Sequence, residues 1–156
     1  MNIRITNALM LSGIIVGIVG CFLPWGRNNL SPFYHPWIFL YPQLGVEPEI
    51  EAAAGFSTLI SLIFGAIFQL VSIIKKKLYM IFPVLAAVLI ALYASATWTQ
   101  GAVAAELNGT YTVLYGVYVT LLSITGVAAM AILHLAVTAE KQLSLGKSEQ
   151  KTSAYL

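Results

Sequence analysis

Residues 53–98 read AAGFSTLISLIFGAIFQLVSIIKKKLYMIFPVLAAVLIALYASATW. Two uncharged apolar runs flank three consecutive lysines, and each run is long enough to cross a bilayer, which takes about 20 helical residues. Within them, Leu85-Ala86-Ala87-Val88-Leu89-Ile90 does not alternate polar with apolar, so these are not strands of a membrane barrel. Two further stretches pass the same tests. The sequence predicts an all-α membrane protein with spans at about 5–23, 53–74, 78–98 and 111–137, packed as a four-helix bundle. Residues 1–145 would form this one transmembrane domain, with residues 24–52 as a long first outer loop. The fourth helix is expected to end near Leu145, with Gly146 as its stop signal, leaving 146–156 as a flexible cytoplasmic tail.

Composition agrees. Of 156 residues, 59% are hydrophobic and 9% charged, and Asp is absent. Soluble domains carry about 25% charged residues, so a soluble fold or a disordered tail is excluded. A net charge of +2 gives no basic footprint for nucleic acid. The expected partners are the lipid bilayer, other membrane subunits and copies of the chain itself.

Lys and Arg set the orientation, because they collect in cytoplasmic loops. Arg4 precedes the first span, Lys75, Lys76 and Lys77 fill the turn between the second and third, and Lys141, Lys147 and Lys151 follow the fourth. The other two loops hold Arg27 alone, together with Glu47, Glu49, Glu51 and Glu106. Both termini are therefore expected in the cytoplasm of a multi-pass protein of the cell membrane. Trp25, Trp98, Tyr111 and Tyr115 then fall at the outer headgroup level, where amphipathic rings settle.

The outer loop has a composition of its own. It holds Pro24, Pro32, Pro36, Pro42 and Pro48, which forbid a long helix. It also holds Trp25, Phe33, Tyr34, Trp37, Phe39 and Tyr41, too apolar a set to extend freely into water. These six aromatics are the expected interaction surface, whether folded on the bundle or docked on another subunit. Asn29-Leu30-Ser31 and Asn108-Gly109-Thr110 match the glycosylation pattern, though Asn108-Gly109 also reads as a turn. Ile18-Val19-Gly20-Cys21 matches a lipidation pattern, against which stands Cys21 as a small packing residue.

Small residues mark the helix contacts. Gly13, Gly17 and Gly20 recur on span one; Thr58, Ser61, Gly65, Phe68 and Ser72 on span two; Ala87, Ala91, Ala94 and Trp98 on span three. Span four carries Gly116, Thr120, Ser123, Val127, Met130 and His134 at the same three-four spacing. In lipid, close approach across small residues holds helices together. The competing reading is a polar pore lined by these hydroxyls.

His134 is the one side chain among His, Lys, Arg, Asp and Glu within a span, and such residues are functional candidates by default. It could ligate a metal, a haem or a chlorin, but the expectation is a structural polar pair with Gln69, which lies at a similar depth. No catalytic residue, cofactor or metal is expected. Without Asp, and without Glu in any span, neither a Ser-His-Asp triad nor two-metal carboxylate chemistry is available. With one cysteine there is no dithiol relay.

Leu23-Pro24-Trp25, with Gly109-Thr110-Tyr111 and Gly116 opening the last span, resembles small uncharacterised four-span prokaryotic membrane proteins. The topology, with its longer first outer loop containing Trp25-Gly26, is similar to that of claudin-type four-helix proteins. That likeness implies lateral assembly through outer loops. The claudin pattern includes a cysteine pair in the first loop, and this chain has none there, so a disulfide-pinned outer sheet does not follow. The function expected is a non-catalytic structural or accessory subunit docking through its outer loop. The alternatives are an oligomeric channel or transport component, and a pigment- or haem-binding subunit through His134.

Overall fold

Each apolar run folds as a helix because lipid offers the backbone no hydrogen bonds of its own. The computed structural model describes residues 3–28, 50–75, 81–107, 109 and 111–153. In chain order the elements are α1 (Ile3–Phe22), β1 (Gly26–Asn28), α2 (Ile50–Lys75), α3 (Ile81–Leu107), β2 (Tyr111–Val113) and α4 (Tyr115–Ser153). All four helices contain a stretch long and apolar enough to cross a membrane. Their outward faces carry large exposed apolar side chains, such as Val19, Phe64, Ile74 and Leu122. A helix apolar on every side needs lipid on one face and protein on the other. The chain is a multi-pass integral membrane protein.

The helices form a ring. α1 packs on α2 and α4, and α3 packs on α2 and α4, so α1–α3 and α2–α4 lie across the diagonals. One end of the bundle holds β1 and β2; the other holds Lys75 and is called the lysine end below.

The small-residue stripes face inward. Gly17, Gly20, Thr58, Gly65, Ser72, Ala87, Ala91, Ala94, Trp98, Gly116, Thr120, Val127 and His134 are buried, while Gly13, Ser61, Phe68, Ser123 and Met130 are half-buried. The closest approach is between α1 and α4. A methyl group on Gly13 would stand 2.5 Å from the Val127 side chain, and one on Gly20 would run into Thr120. Gly65 is looser, with Ala87 Cβ at 3.6 Å from the same hypothetical atom.

Helix ends follow local chemistry, with two departures from expectation. Pro83 sits in the first turn of α3, where its missing N–H is harmless. Gly109 takes φ 70°, and its amide donates to Glu106 O at 2.8 Å, a glycine stop after α3. The fourth span does not begin at Tyr111: residues Tyr111–Val113 are a strand, and the helix starts at Tyr115. Nor does α4 stop at Gly146; it continues to Ser153. A glycine inside a helix costs about 1 kcal/mol, too little to end one by itself. The stop needs the left-handed turn, which among described glycines only Gly109 adopts.

Candidate functional site

Two places in the bundle concentrate the unusual chemistry. The first is the stem of the long loop at the sheet end. Past Phe22 the chain leaves α1, and Leu114 N donates to Trp25 O at 2.8 Å while Gly116 N donates to Pro24 O at 3.1 Å. Immediately beyond, β1 pairs antiparallel with β2, with Gly26 opposite Val113, Arg27 opposite Thr112 and Asn28 opposite Tyr111. Two short strands alone are marginal in water. Here α1 and α4 already hold the strands side by side, so the loop-closure cost is met by the bundle.

The glycines of α1 and α4 make this zipper possible. A methyl on Gly116 would lie 2.7 Å from Pro24 O and 2.9 Å from the Trp25 ring. Below it, Thr120 Oγ1 donates to Gly116 O at 3.0 Å and reaches Gly17 O at 3.5 Å, and Ser123 Oγ donates to Gly13 O. Interhelical polar contacts of this kind average about 0.6 kcal/mol, so the close backbone packing, more than the bonds, holds the pair.

Trp25 corrects one expectation. It is fully enclosed, and so is no part of an exposed interaction surface or headgroup belt. Its Nε1–H donates to Gly20 O at 3.0 Å, and its ring meets Trp98 edge to face at a centroid distance of 5.1 Å. Trp98 is 2% exposed, and α3 continues past it to Leu107, packing along β2. Tyr115, in contrast, is 58% exposed. Cys21 is fully enclosed, as Trp25 is. Phe33, Tyr34, Trp37, Phe39 and Tyr41 lie outside the described residues, as do Asn29 and Asn108.

The second place is the lysine end of the core. Thr6, Gln69, Ser72 and His134 are all buried there. Gln69 and His134 do not form the expected pair. Gln69 Nε2 donates to Asn7 O at 3.1 Å, with Asn7 Oδ1 at 3.4 Å, while Gln69 Oε1 has no partner. The reason is the ring order: α2 and α4 are diagonal, and the helix beside α2 is α1, which carries Asn7. His134 uses its backbone oxygen to accept from Thr138 Oγ1 at 2.8 Å, and its ring makes no hydrogen bond among the described residues. An enclosed acceptor without a donor costs about 1–3 kcal/mol, and among the described residues Gln69 Oε1 is the one enclosed side-chain atom left so.

Asn7 is the partner that the sequence expectation lacks, though its signal is present. It is a polar residue within span one, and polar groups in spans seek partners across helices. Among the described residues, no three His, Cys, Asp or Glu side chains come together as a metal site. A groove of about 500 Å³ opens beside α3, lined by Ala96, Thr99, Gln100, Val103, Ala104 and Leu107 with Leu121 of α4. No family model, characterised protein or solved structure matches the chain.

Proposed function

We propose that the protein is a non-catalytic accessory or structural subunit of a larger membrane assembly, presenting residues 29–49 to neighbouring membrane subunits on the outer face. The carrying observation is the pinned stem. β1 is bonded to β2, and Trp25 is locked under Trp98, immediately before that aromatic segment begins. A segment fixed at its stem loses less conformational entropy on docking than a free loop, which favours recognition. The other end enters α2 at Ile50, again part of the rigid frame.

The fate of the core hydroxyls supports this reading over a conduit within one copy. Thr58 donates to Ala54 O, Ser95 to Leu92 O, Thr120 to Gly116 O and Ser123 to Gly13 O. Hydroxyls spent on helix carbonyls are not arranged along a polar pathway. Extraction in a mild detergent followed by native mass measurement tests the proposal. Co-purifying membrane subunits in fixed ratio support it, and a bare chain carrying a bound haem or chlorin would contradict it.

A further inference from the structure

Gln69 is fully enclosed, and its carboxamide oxygen finds no donor in the protein. Exchanging the oxygen and nitrogen does not cure this, because an oxygen would then face the Asn7 carbonyl that Nε2 now serves at 3.1 Å. The two atoms diverge from one carbon, so Oε1 is aimed away from Asn7.

His134 shares this layer. Gly13 of α1 rests on Val127 of α4, which aligns the two helices. Asn7 lies six residues from Gly13 toward the lysine end, and His134 lies seven from Val127. At 1.5 Å per residue these are drops of about 9 and 10.5 Å, and Gln69 is tied to Asn7 by its hydrogen bond. Ser72, also buried, is within one turn of Gln69. The layer above is apolar, with Met10, Ile14, Leu62 and Val127 buried in it. No charged side chain lies within the spans at this depth, which suits a neutral ligand that both donates and accepts.

We propose that this layer is a hydration site: a bound water donates to Gln69 Oε1 and shares a hydrogen bond with the His134 imidazole. Solvent then links α2 and α4, the diagonal helices that make no direct bond here. Buried waters typically make about three hydrogen bonds to groups left unsatisfied by the protein, and Gln69, His134 and Ser72 supply that number.

Water-edited solid-state NMR on the full chain in deuterated-lipid bilayers tests this. Magnetisation from water is expected to build up several-fold faster at the Gln69 amide and the His134 ring than at the Leu62 and Val127 methyls. Build-up at Gln69 as slow as at Leu62 would overturn the site. Fast transfer to Gln69 with slow transfer to His134 would overturn the sharing. In His134→Phe, transfer to Gln69 is expected to fall, and an unchanged rate would likewise overturn the shared water.

Discussion

The indole of Trp25 meets the indole of Trp98 edge to face, with ring centroids 5.1 Å apart and planes inclined at 70°. One ring comes from the segment after α1 and the other from within α3, so the contact crosses the bundle diagonal that the helices themselves leave open. It ties the stem of the long loop to the helix farthest from α1.

That contact predicts coupled stability. Trp25→Leu removes the ring together with the donor to Gly20 O, and Trp98→Leu removes its aromatic partner. Aromatic pairs contribute about 0.5–1.5 kcal/mol beyond the area they bury. A double-mutant cycle, read by thermal unfolding in detergent, is expected to give a coupling of about that size. Simple additivity of the two costs would remove the pair as a structural tie.

Two glycines predict opposite outcomes for the same substitution. Gly20→Ala forces a methyl against Thr120, with the backbone nitrogen 3.0 Å away, and backbone cannot swing aside. Overpacking of this kind costs about 1–3 kcal/mol. Gly65→Ala places its methyl 3.6 Å from Ala87 Cβ, ordinary contact, and gains up to about 1 kcal/mol of helix propensity. Unfolding midpoints in detergent should therefore fall for the first and hold or rise for the second. Equal effects would mean that the α1–α4 approach is not the tight one.

Orientation gives a third prediction. Lys76→Cys places a thiol next to Lys75, Glu106→Cys places one in the last turn of α3 at the opposite end, and the native Cys21 is fully enclosed and silent. With seven basic residues on one side and Arg27 on the other, an impermeant reagent applied to intact cells should label position 106 and spare position 76. Equal labelling of both contradicts the assigned topology.

The spans and their contact faces were legible because both have a period. Length and the absence of charge mark a span, and the three-four recurrence of Gly13, Gly17 and Gly20 marks its buried side. Tyr111–Val113 and Gly26–Asn28 have no period to read: three residues cannot display alternation, and their pairing is imposed by α1 and α4. Trp25 looked like an interfacial ring because its neighbours are loop residues. Its burial depends on Trp98 and Gly116, which are distant from it in sequence. Gln69 and His134 were matched in depth, but depth does not fix the order of helices around the ring. Asn7 won the contact because α1, not α4, lies beside α2.

The docking role of the long loop is tested most directly by replacing Trp37, Phe39 and Tyr41 together with Ser and comparing the extracted complexes on a native gel. The frame is held by Trp25, Trp98 and the glycine contacts, none of which the substitutions touch, so membrane insertion should be unchanged. The predicted result is loss of the larger species, leaving a smaller inserted one. A complex of unchanged size would contradict assembly through this loop.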